Sequence, residues 1–361
     1  MIKTLLTGTA AVVLMASTAF AEEVRVYNWS DYIDEELLAK FEEETGIKLI
    51  YDVFDSNEVL ETKLLAGGSG YDVVVPSGTF LQRQITAGAF QKLDTAQLSN
   101  MGNMWDVVTS RTEQYDPANA YSINYMWGTT GIGVNVGKVQ AILGADAPID
   151  SLELVLNPEN MAKLADCGVH FLDAPAEMLP MALKYIGEDP DSHDPEMIAK
   201  AADVFVKIRP YIQKFHSSEY INALANGDIC VAVGWSGDIL QARDRAAEAK
   251  NGVEIAYHAA KEGAQMWFDQ MAIPVDAPNA EGAHKFLNFI MDAQNMAAAS
   301  NYVYYANGNK ASQEFLVEDV SGDPAIYPDE ATLENLFTTT PYPPKVQRVV
   351  TRSWTKVKSG T

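Results

Sequence analysis

The chain has 361 residues, 47% hydrophobic and 21% charged, with a mean hydropathy of −0.10. That length suits two ordinary domains, and the composition excludes a disordered or fibrous chain. With 26 Lys and Arg against 49 Asp and Glu the net charge is −23, which excludes a general nucleic-acid binder, since phosphate neutralisation needs clustered cations. The same acidity disfavours an anionic membrane surface and is compatible with a small cationic ligand.

Residues 1–21 read as a secretory signal. Lys3 is the positive start, Leu5 to Met15 the apolar core, and Ala19-Phe20-Ala21 the small-x-small cleavage site. No Cys stands at the cleavage point, which argues against a lipid anchor, and no later run reaches the length of a membrane span. Removal of these 21 residues leaves 340, and the chain is expected in the periplasm.

Val24 to Trp29 alternates and begins a strand. Asp34 caps a helix carrying Leu37, Leu38 and Phe41 on one face, and Gly46 ends it. A second strand covers Ile47 to Phe54, and a helix runs from about Glu58 to Ala66. Tyr71 to Val75 is a continuous apolar run, as in a buried parallel strand, and Pro76 stops it before a helix starting at Thr79. The pattern restarts downstream with a strand at Gly168 to Leu172 and a helix from Pro195 to Phe215. A short helix at 219–227, a strand from Ile229 to Val233 and a surface helix from Gln241 to Lys250 follow. Alternation of this kind predicts an α/β fold with mixed, mainly parallel sheets flanked by helices, in two lobes. Thr129 to Asn135 contains Gly131 and Gly133 and is a candidate first crossing between the lobes.

Several catalytic motifs nearly match and fail. Gly131-Ile132-Gly133 does not complete a dinucleotide fingerprint, and Gly234-Trp235-Ser236-Gly237-Asp238 has Asp where a nucleophile elbow needs Gly. The five histidines are scattered, so neither a metal nor another cofactor is expected. What recurs is acid beside aromatic: Trp29-Ser30-Asp31-Tyr32, Trp235 with Asp238, and Trp267 with Asp269. Tyr304-Tyr305 adds a further aromatic pair. A carboxylate next to an aromatic face suits an ammonium ion through charge-assisted hydrogen bonds and cation–π attraction.

Beyond these runs the chain resembles the periplasmic polyamine-binding proteins of bacterial ABC importers, most closely their putrescine-binding members. The resemblance rests on VYNWSDYI at 26–33, YDVFDSNEVLE at 51–61, DVVVPSGTFLQRQ at 72–84, TTGIGVN at 129–135 and FLDAP at 171–175. It continues through HSSEYINALANGDICVAVGWSGD at 216–238 and YYANGNKA at 304–311. It implies a hinged, two-lobed (type II) binding-protein fold with the ligand in the cleft. Lobe 1 would comprise 22–130 and 268–307, and lobe 2 131–267 and 308–361. It implies that Trp29 and Tyr32 line the lobe 1 side, with Ser30 and Asp31 near an amine and Ser77 and Phe80 beside them. Glu177 would come from lobe 2. Trp235 would stack on the alkyl chain, Asp238 and Asp269 would each bind an ammonium, and Trp267 and Tyr305 would complete an aromatic box. Trp267 and Thr79 depart from the usual diamine pattern. Cys167 and Cys230 match a disulfide pair in the family. The implied function is capture of a polyamine, foremost putrescine, and delivery to a membrane permease by a monomer without catalysis. Spermidine or another cationic amine, and a secreted hydrolase, are the alternatives.

Overall fold

The computed structural model describes residues 22–360, so the expected signal segment lies outside the described residues. Asp34 caps the first helix, Glu35–Thr45, its side chain accepting from Glu36 N, and Gly46 closes that helix at φ 70°. A left-handed closing residue without a Cβ carries no steric penalty. Ser56 caps Asn57–Leu65 in the same way, accepting from Val59 N.

Ten strands form one hydrogen-bonded sheet among the described residues. They are β1 (Glu23–Trp29), β2 (Lys48–Phe54), β3 (Val73–Val74), β4 (Ser122–Asn135), β5 (Val169–Phe171), β6 (Lys214–Phe215), β7 (Val231–Trp235), β8 (Ile255–His258), β9 (Gln265–Ala272) and β10 (Ala306–Asn307). Along the main path the order is β2-β1-β3-β9-β4-β7-β5-β6. At one end β1, β2 and β3 are parallel, and at the other β5, β6 and β7 are parallel. Between them β9 and β4 run antiparallel to each other over most of their length. The sequence pattern suggested a separate sheet in each lobe; the β4–β9 ribbon instead joins them into one.

Two hydrophobic cores flank this ribbon. One gathers Val24, Val26, Phe41, Val73, Phe286 and Ile290; the other gathers Val169, Phe171, Phe205, Val231 and Trp354. In β4, Ile123, Tyr125 and Met126 belong to the first core, whereas Trp127, Ile132 and Val134 belong to the second. In β9 the change falls between Phe268 and Met271, and in the third crossing between Tyr305 and Ala306. Gly131 and Gly133 lie within regular β4 structure. A Cβ on Gly131 would stand 2.5 Å from His258 O, and one on Gly133 2.8 Å from the Ile239 side chain. Close packing across the sheet therefore requires them.

Two expectations change. The helix predicted to run from Pro195 to Phe215 ends at Ile208, followed by a short 3₁₀ turn and β6. Pro210 is the cause: it lacks an N–H and disfavours helical geometry at the residue before it. Cys167 and Cys230 are present as free thiols, not as the expected bridge. Cys230 is buried and donates to Gly168 O at 3.4 Å. Burial pushes its thiol up, and the neighbouring Cys167 side chain adds to the shift.

Candidate functional site

Strand ends and helix starts converge where the two cores meet. Trp29 closes β1, and Ser30 and Tyr32 follow in its turn. Ser77 precedes helix Gly78–Thr86, and Glu177 lies in the first turn of helix Pro175–Tyr185. Trp235 closes β7, and Asp238 lies in the first turn of helix Ser236–Ala249. Trp267 and Asp269 sit on β9, and Tyr305 directly precedes β10. These ten side chains line one cavity enclosing about 380 Å³ of empty space, solvent at its mouth included. No lysine, arginine or histidine is among them. A crevice beyond the carboxyl ends of strands is the usual ligand position in an open α/β sheet.

Two buried carboxylates organise the cavity. Asp269 accepts from Tyr32 OH at 2.8 Å and from Ser77 Oγ at 2.6 Å. Asn57 fixes Ser77 in turn, donating to its Oγ at 2.9 Å and accepting from its N at 3.0 Å. Asp238 accepts from Tyr220 OH at 2.7 Å and from Tyr305 OH at 2.8 Å. Glu177 accepts from Trp235 Nε1 at 2.8 Å and from Thr130 Oγ1. Burial pushes all three carboxyls up to about 7, against the hydroxyl and indole donors that favour the ionised form. Glu58, nearby on helix Asn57–Leu65, is also pushed up by burial to about 7.

Aromatic rings form the walls. Trp29 and Trp235 meet edge to face at 5.3 Å, and Tyr305 meets Tyr32 at 5.2 Å and Trp267 at 5.3 Å. Trp29 Nε1 donates to Val75 O at 2.9 Å, which locks its ring. Rigid ring faces between carboxylates suit an alkyl chain carrying ammonium groups.

Of the twelve positions expected from the sequence, ten line this cavity. Asp31 and Phe80 do not. Asp31 takes φ 54°, a left-handed geometry that Asp tolerates, and its carboxylate accepts from Arg245 Nη2 at 2.7 Å. Asp31 thus joins the first lobe to helix Ser236–Ala249 at the rim. Both partners are more than one-third exposed or close to it, and such pairs contribute about 1 kcal/mol or less. Asp31→Asn should therefore weaken ligand binding less than about fivefold by calorimetry; a hundredfold loss would return Asp31 to the ligand. Phe80 is buried, with the Arg83 guanidinium 4.2 Å from its ring centroid. It lines an adjoining cavity that shares Ser77, Glu177 and Trp267 with the first.

Tyr220, Thr130 and Asn57 were not singled out in the sequence. Each holds a cavity residue by a hydrogen bond without lining the main cavity. Their partners lie 18, 47 and 20 residues away in the chain, so local spacing carries no signal of the pairing.

The family model for bacterial extracellular solute-binding proteins matches residues 36–328. The chain belongs to this family. Its α/β architecture is the two-lobed type II binding-protein fold. This solute-binding protein is 54% identical to the putrescine-binding periplasmic protein SpuD of Pseudomonas aeruginosa, covering 99% of this chain and 98% of that one. It is 51% identical to the putrescine-binding periplasmic protein PotF of Escherichia coli, covering 98% of both. Among solved structures, the spermidine/putrescine substrate-binding protein PotD of Streptococcus pneumoniae superposes with a TM-score of 0.75 at 28% identity. That match covers 94% of this chain and 99% of that one. Among the described residues no helix is long and apolar enough to cross a membrane.

Proposed function

We propose that this protein captures putrescine between its lobes and delivers it to the permease of an ABC importer. One observation carries the reading: buried Asp238 and Asp269, each oriented by two hydroxyls, stand in an aromatic cavity that offers them no protein cation. A diamine supplies two cations and an apolar spacer. Identity above 50% over the full length to two proteins named for putrescine supports the same ligand. In this reading Asp269 and Asp238 take the two ammoniums, and Trp29, Trp235, Trp267, Tyr32 and Tyr305 pack on the methylenes. Ser30, Ser77 and Glu177 complete the polar contacts. The lobes, 22–130 with 268–307 and 131–267 with 308–361, close about the three crossings. The protein acts as a monomer, without chemistry.

Calorimetric titration of ligand-stripped protein with putrescine, cadaverine, agmatine and spermidine tests this. Spermidine would set a protonated secondary amine against the ring walls, where an unpaired buried charge is costly. Putrescine is expected to bind tighter by at least about tenfold, or about 1.4 kcal/mol. Equal or tighter spermidine binding would overturn the diamine assignment.

The mature chain in this reading starts at Glu22 in the periplasm, an oxidising compartment in which neighbouring thiols bridge. Intact mass spectrometry of exported protein should show residues 22–361 lighter by two hydrogens, with alkylation at Cys167 and Cys230 only after reduction. Alkylation without a reductant would show that the thiols stay free.

A further inference from the structure

An asparagine followed by glycine can react with its own backbone, because no Cβ shields the glycine nitrogen. The chain has three such steps: Asn226-Gly227, Asn251-Gly252 and Asn307-Gly308. The fold treats them differently. Asn307 is fully buried, its Oδ1 accepting from Asn309 N at 2.8 Å and Ser312 Oγ at 2.9 Å and its Nδ2 donating to Ser300 Oγ at 2.8 Å. A Cβ on Gly308 would stand 2.3 Å from Asn124 Oδ1, so that backbone has no room to move. Asn226 is exposed, but it closes helix Tyr220–Ala225, and Gly227 N donates to Leu224 O at 2.9 Å, which occupies the nitrogen. A Cβ on Gly227 would stand 2.9 Å from Val253 Cγ2.

Asn251 and Gly252 are both exposed, in the turn that follows helix Ser236–Ala249. Gly252 takes φ 78°, and a Cβ there would meet nothing within 4 Å. Among the described residues its N–H has no acceptor. Asn251 Oδ1 accepts from Val253 N at 3.0 Å, which closes an Asx turn. That turn encloses the Asn251 Cγ and the Gly252 nitrogen in one hydrogen-bonded ring, and the bond to Oδ1 draws electron density away from Cγ. Asn251 Nδ2 donates to Ala225 O at 2.7 Å, tying the turn to the end of helix Tyr220–Ala225.

We propose that Asn251 is a self-modification site, converted in the folded protein to aspartate or isoaspartate while the other two steps stay protected. The Gly252 nitrogen loses its proton to solvent base and attacks the Asn251 Cγ. The N–Cγ bond forms, negative charge develops on Oδ1 against the Val253 N–H, and the Cγ–Nδ2 bond breaks. The departing nitrogen takes a proton from solvent and leaves as ammonia. Water then opens the five-membered imide at either carbonyl, giving aspartate or isoaspartate. No electrons are transferred. A carboxylate oxygen now faces the Ala225 carbonyl where an N–H stood, two acceptors without a proton between them, so the turn comes loose from helix Tyr220–Ala225. Asp238 lies at the far end of helix Ser236–Ala249, about 17 Å from Ala249 at 1.5 Å per residue, so the cavity is left as it was.

The test incubates the mature protein at mildly alkaline pH and physiological temperature, beside synthetic peptides carrying each Asn-Gly step. Peptide mapping by mass spectrometry follows the gain of one mass unit, and an isoaspartate methyltransferase labels the isoaspartate. The folded protein should convert Asn251 at a rate within tenfold of its free peptide. Asn226 and Asn307 should each run more than tenfold slower than theirs. Gly252→Ala should slow the reaction at position 251 at least tenfold, and Asn251→Gln should remove the signal there, with melting curves confirming that both variants fold. The modified protein, separated by its added negative charge on anion exchange, should exchange backbone hydrogens faster over residues 247–254. Its amine affinity should stay within tenfold of fresh protein. Conversion of Asn251 tenfold or more slower than its peptide, or of Asn226 as fast as Asn251, would overturn the proposal. Unchanged exchange over 247–254 would overturn the loosening of the turn, and a larger loss of affinity would overturn its separation from the cavity.

Discussion

Asp238→Asn and Asp269→Asn should each weaken putrescine binding at least about a hundredfold in calorimetric titration. Breaking a buried charge pair by removing one partner costs about 3–5 kcal/mol, because the other charge is left unpaired. Here the charge left behind is the ligand's ammonium, enclosed by tryptophan and tyrosine rings. Asp238 is 5% exposed and Asp269 4%, so water cannot replace the lost carboxylate. Both substitutions keep the side-chain shape, and the amide still exchanges hydrogen bonds with the Tyr220 and Tyr305 hydroxyls, or with those of Tyr32 and Ser77. The ligand-free variants should not melt below wild type at pH 7.5, since an unpaired buried charge has been removed. That thermal measurement separates binding from folding. An unchanged dissociation constant in either variant would take that residue out of the site.

Putrescine affinity should fall as pH falls below 7, by about tenfold or more between pH 7.5 and 5.5. Burial pushes the carboxyls of Asp238, Asp269 and Glu177 up to about 7. A bound diammonium favours their ionised forms, so binding below pH 7 must expel protons. Titrations in buffers of different ionisation heat should therefore show net proton release at pH 6.5 and almost none at pH 8.5. Stability of the ligand-free protein runs in the opposite direction. Carboxyls whose folded pKa exceeds the unfolded value of about 4 bind more protons folded than unfolded, so their contribution declines as pH rises from about 4 to about 7. Binding that is flat from pH 5.5 to 7.5 would mean that the carboxyls are already ionised without ligand.

Local chemistry made much of this legible. Asp34 and Gly46 bound the first helix where a capping acid and a left-handed glycine should, and the acid-beside-aromatic runs led to Asp238 and Asp269. What local pattern misses are decisions made across the chain. Asp31 sits between two cavity residues, yet one left-handed dihedral turns its carboxylate to Arg245, 214 positions away. Tyr220 reads as an ordinary core tyrosine until the fold brings its hydroxyl to Asp238. The extent of β9 escapes local pattern, because a ribbon buried against both lobes lacks the alternation that marks a half-exposed strand.

The β4–β9 ribbon also fixes when the molecule can fold. Residues 22–126 form most of one core, but Met271, Phe286, Ile290 and Val303 complete it. The other core is not closed until Val350, Trp354 and Val357 are present. A chain emerging at about 5–20 residues per second therefore holds its first hundred residues without their partners until some 150 more have followed. Neither core closes in order of synthesis: one waits for Tyr305 and the other for Val357. Contacts this distant in sequence make folding slow. During that interval the chain stays open to whatever must handle it unfolded.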